Sequence, residues 1–147
     1  LEKYLKQGKK SKQVKLIVEI KPAKTPELED EMVTKTLKII RDKSLENQCE
    51  FISFSLHLCK EIKKQNPKAI VQYLAGDLSP SDIKNAGIDG LDYHYSVFLD
   101  KHPDWILEAK KLGLITNVWT VNDEVIFKKL ADLGVGFVTT NVPDVLK

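Results

Sequence analysis

The chain has 147 residues, 42% of them hydrophobic and 30% charged, with a formal net charge of +2. That suits one globular domain with enough apolar side chains for a core. The lysines come in short runs such as Lys9-Lys10 and Lys63-Lys64, which read as solvated faces and not as a nucleic-acid footprint, and no apolar run reaches the roughly 18 residues of a membrane helix.

Leu1–Gln7 is expected to be a helix with Leu1, Tyr4 and Leu5 on one side. Val14–Ile20 reads as a strand, followed by a loop from Pro22 to Pro26. A helix over Glu27–Lys43 follows, with Leu28, Met32, Val33, Leu37 and Ile40 at helical spacing. Phe51–Phe54 is a short apolar strand, and Ser55 can cap a helix that buries Leu58, Cys59 and Ile62. Ala69–Leu74 is the next strand. Ser79-Pro80-Ser81-Asp82 is a strong helix start, with a serine cap, proline at the first helical position and a carboxylate three residues on. Ile88–Tyr93 is a strand, and Pro103 is expected to open a helix with Trp105, Ile106, Ala109 and Leu112 on one side. Leu114–Val121 is a strand. Asn122 is expected to cap the last full helix, with Val125, Ile126, Leu130 and Leu133 inward. Val135–Thr139 is the final strand, and Pro143–Lys147 begins a closing turn or helix.

Helices ending at Gly87, Gly113 and Gly134 run straight into strands. Strands alternating with helices imply parallel pairing, because parallel neighbours need a crossover connection. The short regular units favour an α/β fold of the (β/α)8 barrel type over a doubly wound sheet, and no glycine-rich phosphate fingerprint follows any strand. Six strands are counted where a closed barrel has eight. Residues 1–147 are therefore expected to be the carboxy-terminal part of one barrel domain, with the first two strand–helix units lying upstream and needed to close it. An open six-stranded sheet is the alternative.

Cys49 and Cys59 lack metal-ligand spacing and read as buried thiols. No signal-peptide pattern opens the chain at Leu1, and its location, exported or cytoplasmic, is left unassigned.

Ligands of such sheets bind at the carboxyl ends of the strands. The first strand ends Val18-Glu19-Ile20-Lys21, and side chains two apart on a strand share a face. Two opposite charges at the end of a buried strand are costly unless something there uses them. Glu19 can hold a hard cation and Lys21 can oppose a phosphate oxyanion; a barrel-mouth salt bridge without a ligand is the plainer reading. The other strand ends bring Ser53 and Ser55, Gln72 and Tyr73, Asp92 to Tyr95, Trp119 and Asn122, and Thr139 to Asn141. Trp119 can wall a small polyol group or pack in the core. His94 can face the same rim, whereas His57 and His102 read as structural or solvated. No Ser/His/Asp or Cys/His nucleophile set is evident.

Val18-Glu19-Ile20-Lys21-Pro22, Ile52-Ser53-Phe54-Ser55, Val118-Trp119-Thr120-Val121-Asn122 and Gly136-Phe137-Val138-Thr139-Thr140-Asn141-Val142-Pro143-Asp144 together resemble the carboxy-terminal part of the glycerophosphodiester phosphodiesterase family, in order and spacing over essentially the whole chain. The resemblance implies a (β/α) barrel that uses a divalent cation, Ca²⁺ or Mg²⁺, to hydrolyse glycerophosphodiesters to glycerol 3-phosphate and an alcohol. It implies that Glu19 is a metal ligand, that Lys21 contacts phosphate and that Trp119 shapes the glycerol side. The family's His-Arg motif, its Glu-x-Asp metal pair and its second catalytic histidine have no counterpart here, and Asn141 stands where the family often has Asp. The catalytic histidines are expected upstream, and the 147 residues alone are expected to be inactive. Two other readings compete: a non-catalytic phospholigand-binding barrel, and an aldolase-like barrel with Lys21 as a Schiff-base nucleophile.

Overall fold

The computed structural model describes residues 1–144 and 146. They form two compact units, Leu1–Val71 and Gln72–Lys147. Within each unit the strands lie in chain order and pair in parallel.

The first unit contains helix α1 (Glu2–Gly8), strand β1 (Leu16–Glu19), helix α2 (Pro26–Asp42), strand β2 (Cys49–Ser53), helix α3 (Leu56–Gln65) and the start of strand β3 (Ile70–Tyr73). β1 pairs with β2 in the register Leu16 to Cys49 and Glu19 to Ile52. Leu16 and Val18 are buried while Ile17 and Glu19 are exposed, so one face of β1 packs and the other is open. Val33, Leu37 and Ile40 of α2 and Leu58, Cys59 and Ile62 of α3 are buried. Leu28 and Met32 of α2, and Leu1 and Tyr4 at α1, were expected on packed faces and are exposed instead. The covered stripe of α2 is narrower than its apolar stripe, and only Leu5 of α1 is buried.

The second unit holds the rest of β3, helix α4 (Pro80–Asn85), strand β4 (Gly90–His94), helix α5 (Trp105–Lys111), strand β5 (Ile115–Trp119), helix α6 (Glu124–Asp132) and strand β6 (Phe137–Val138). α4 has the full reciprocal capping box at Ser79 and Asp82. Gly87, Gly113 and Gly134 each take a positive φ at the helix-to-strand joint, the left-handed conformation that glycine adopts without steric cost. Gly90 serves a different purpose: a Cβ there would sit 2.5 Å from the Ile115 carbonyl oxygen, so β4 and β5 approach closely only because no side chain intervenes.

Three expectations change here. Val97–Lys101 forms a π-helical turn, and α5 begins at Trp105 with Asp104 before it; Pro103 lies in the connection and does not open the helix. Asp123, not Asn122, caps α6, its carboxylate accepting the Ile126 amide at 2.9 Å. Val125 and Leu133 are exposed, and the buried residue of α6 is Leu130. The strands are also shorter than their apolar runs, because residues such as Leu74, Leu114 and Val121 are buried in the connections rather than in the ladder. Of the expected closing element, Pro143 and Asp144 form a turn, while Val145 and Lys147 lie outside the described residues.

Candidate functional site

In the first unit the alternation of β1 decides which side chains the strand end presents. Leu16, Val18 and Ile20 are buried, and Ile17, Glu19 and Lys21 are exposed. Glu19 and Lys21 thus emerge on the open face, as their spacing implied. Among the described residues neither side chain has a hydrogen-bond or ion-pair partner, and they do not bridge to each other.

The residues beneath that pair are tightly bonded. Ser53, fully buried, donates through Oγ to the Ile20 carbonyl at 2.7 Å and accepts the Ser55 amide at 3.1 Å. Ser55 accepts the Leu58 amide as the cap of α3 and donates to Glu29 Oε2 at 2.8 Å. The other oxygen of Glu29 accepts the Ala23 amide at 3.1 Å. The segment carrying Lys21 is therefore fixed at Ile20 on one side and Ala23 on the other. Ser53 and Ser55 position the strand end and do not present free hydroxyls there. Glu29, 6% exposed, is a residue that sequence reading missed; its signal was a carboxylate in the first turn of a helix three residues past Pro26.

In the second unit the ladder places His94 beside Trp119 and Asp92 beside Asn117. Leu91 and Tyr93 point to the opposite face, where Tyr93 stacks on Phe98 with centroids 5.8 Å apart and donates to the Leu78 carbonyl at 2.9 Å. Tyr73 packs edge-on against Tyr93, so both tyrosines serve the core, whereas His94 and Trp119 share the other face. The His94 ring meets Trp119 edge-on at 5.2 Å and lies over Tyr95 at 4.4 Å. The indole Nε1 donates to the Asp92 carbonyl at 2.8 Å. At His94, Nδ1 accepts the Ser96 amide at 3.3 Å and lies 2.7 Å from Ser96 Oγ. An amide can only donate, so neutral His94 carries its proton on Nε2.

One layer deeper, Asn117 is 7% exposed, and its Oδ1 is buried without a hydrogen-bond partner among the described residues. Sequence reading passed over it; the signal was an amide in the middle of an apolar strand. Asn122 Oδ1 accepts Thr140 Oγ1 at 3.2 Å and the Asn141 amide at 2.9 Å, so it joins the strand-end loops after β5 and β6.

The remaining histidines are structural. His57 pairs with Asp30 at 2.7 Å, and His102 stacks on Trp105 at 3.8 Å. Burial pushes the thiols of Cys49 and Cys59 up to about 11 and about 12, so both stay protonated and unreactive at neutral pH. Among the described residues no three His, Cys, Asp or Glu side chains gather as a metal site.

Strand–helix units with polar groups at the strand ends define an α/β protein of the (β/α) barrel type. The family model for glycerophosphoryl diester phosphodiesterases matches residues 1–145, and the chain belongs to that family. A glycerophosphodiester phosphodiesterase from Parabacteroides distasonis is 41% identical with a TM-score of 0.95, over 98% of this chain and 60% of that one. A Silicibacter pomeroyi protein named for the same activity is 26% identical with a TM-score of 0.80, over 95% of this chain and 50% of that one. An Oleispira antarctica phosphodiesterase, solved in complex with the product sn-glycerol-3-phosphate, shares the fold at 22% identity and a TM-score of 0.72, over 90% of this chain and 53% of that one. The chain thus spans 50 to 60% of the length of these relatives. No curated protein matches it. Members of the family generally use a divalent cation, and among the described residues no helix is long and apolar enough to cross a membrane.

Proposed function

We propose that the protein carrying this chain hydrolyses glycerophosphodiesters to glycerol 3-phosphate and an alcohol, using Ca²⁺ or Mg²⁺. The family match supports the reaction class. Within the chain, the observation that carries the reading is the emergence of Glu19 on the open face of β1 and of Lys21 just past its end, both without a partner among the described residues, above a bonded framework.

In the reaction, water adds to phosphorus, the bond to the alcohol oxygen breaks, and that oxygen takes a proton. The Lys21 ammonium opposes the charge that grows on the non-bridging oxygens. Glu19 contributes one carboxylate to the cation. The chain's own donors do not complete a cation site, since no cluster of three forms among the described residues, so the other ligands come from outside this segment. Trp119 forms an apolar wall for the glycerol moiety, with His94 beside it. The acid–base groups are assigned to upstream histidines.

We assign residues 1–147 to the carboxy-terminal part of one barrel, with two strand–helix units preceding them. In support, β1 stands at the edge of its sheet, and Tyr4, Val14, Ile17 and Phe54 in the same unit are exposed, which leaves a strand edge and apolar surface for a further segment to cover. The Schiff-base alternative fares worse, because Lys21 is exposed and lacks the desolvated surroundings that activate an amine nucleophile.

The test is glycerophosphocholine hydrolysis by the full polypeptide under cation titration. Glu19→Gln is expected to lower kcat/KM by about a hundredfold and to raise the cation concentration needed, and Lys21→Ala to lower it by about a hundredfold at unchanged cation demand. Wild-type rates in both variants would overturn the assignment. The 147 residues by themselves are expected to show no turnover, and measurable hydrolysis by them would remove the need for an upstream segment.

A further inference from the structure

The charge of the chain is segregated. Residues 1–15 carry Lys3, Lys6, Lys9, Lys10, Lys12 and Lys15 against the single acid Glu2, a net +5, and the other 132 residues carry −3. All six lysines are exposed.

Their display is built. The Gln48 side-chain amide nitrogen lies within hydrogen-bonding distance of three carbonyls of the basic loop: Gly8 at 3.1 Å, Ser11 at 2.7 Å and Val14 at 2.7 Å. Lys9 Nζ donates to the Lys43 carbonyl and Lys15 Nζ to the Asn47 carbonyl, each at 3.0 Å. Two shallow concavities follow, one of about 270 Å³ lined by Lys3, Lys6, Lys9 and Lys43 with the single acid Glu2, the other of about 390 Å³ whose charged lining is Lys9, Lys12 and Lys15. They share Lys9, so the basic surface is continuous.

We propose that this surface docks the protein onto an anionic lipid bilayer. Charge complementarity selects the occupant. Lysines are compact, flexible point charges suited to a diffuse field of headgroup phosphates. A nucleic acid would call for arginine forks and stacking rings. The chain's one arginine, Arg41, lies outside the basic segment, and the only ring within it, Tyr4, has its hydroxyl bonded to the Ile17 carbonyl at 3.3 Å. The docking surface stands whether or not the hydrolytic reading does.

The test is co-sedimentation of the full polypeptide with vesicles of phosphatidylcholine alone or with about 30% phosphatidylserine. Partitioning is expected to rise at least tenfold with the anionic lipid and to collapse near about 0.5 M salt, where the screening length falls to a few ångströms. Replacing Lys6, Lys10 and Lys12 together by glutamine should reduce partitioning by about a hundredfold, while arginine at the same three positions should preserve it. Among the described residues none of these three side chains has a hydrogen-bond or ion-pair partner, and circular dichroism verifies that the glutamine variant is folded. Equal binding to neutral and anionic vesicles, undiminished binding by the folded glutamine variant, or a preference for single-stranded RNA over anionic vesicles at equal salt would each overturn the proposal.

Discussion

The two units present their strand ends in opposite ways. In the second, His94 and Trp119 are locked: the indole bonds to the Asp92 carbonyl, the imidazole to Ser96, and the two rings touch. In the first, Glu19 and Lys21 have no partner among the described residues, while the backbone on either side of Lys21 is held through Ser53, Ser55 and Glu29. An aromatic wall works by shape and must be rigid before a ligand arrives. A charged pair works by meeting opposite charge, and a partner within the fold would spend that charge in advance. On the proposed assignment, the difference separates side chains whose partner is the protein from side chains whose partner is the ligand.

Perturbing each region should therefore give a different signature. The largest effect is expected at Lys21 and Glu19, where activity falls about a hundredfold while thermal stability is unchanged, because neither side chain holds anything in the fold. Comparable loss of melting temperature in either variant would erase the contrast. Next comes Glu29→Ala, expected to cost about 2 kcal/mol in denaturant unfolding by orphaning the Ala23 amide and the Ser55 hydroxyl. It should lower activity only through a looser Lys21 segment. Trp119→Phe is expected to cost about 1 kcal/mol through loss of the Nε1–Asp92 bond and to raise KM more than it lowers kcat; an unchanged KM would argue against contact with substrate.

The smallest effect concerns pH. The folded state holds Cys49 and Cys59 above the ordinary thiol range, at about 11 and about 12. A group whose folded value lies above its unfolded value contributes stability below the unfolded value, and that contribution is lost as pH rises toward the folded one. Stability is thus expected to decline from about pH 8.5 upward, and replacing both cysteines by alanine should flatten that decline. Thiol reagents at neutral pH should label the native protein only at its opening rate.

Much of this was legible in the sequence because it is local. The Ser79–Asp82 capping box, the glycines at Gly87, Gly113 and Gly134, and the Glu19–Lys21 alternation are each fixed by residues within a few positions of one another. What escaped depends on distant partners. Asn122 and Asp123 are equally good caps by composition, and the choice fell to Asp123 because Thr140 and the Asn141 amide, 18 and 19 residues away, take Asn122. Glu29 looked like an ordinary first-turn acid until Ser55 was placed 2.8 Å from it. Val125 and Leu133 follow a helical stripe as faithfully as Leu130, and only tertiary packing decides that Leu130 alone is covered.

The most direct test is calorimetric binding of sn-glycerol 3-phosphate to the full polypeptide, wild type against Lys21→Ala. A phosphate held by the free ammonium at the end of β1 should bind at least tenfold more weakly once that charge is gone, with the melting temperature of the unliganded protein unmoved. Equal affinity in the two proteins would contradict the assignment and return Glu19 and Lys21 to the status of solvated surface charges.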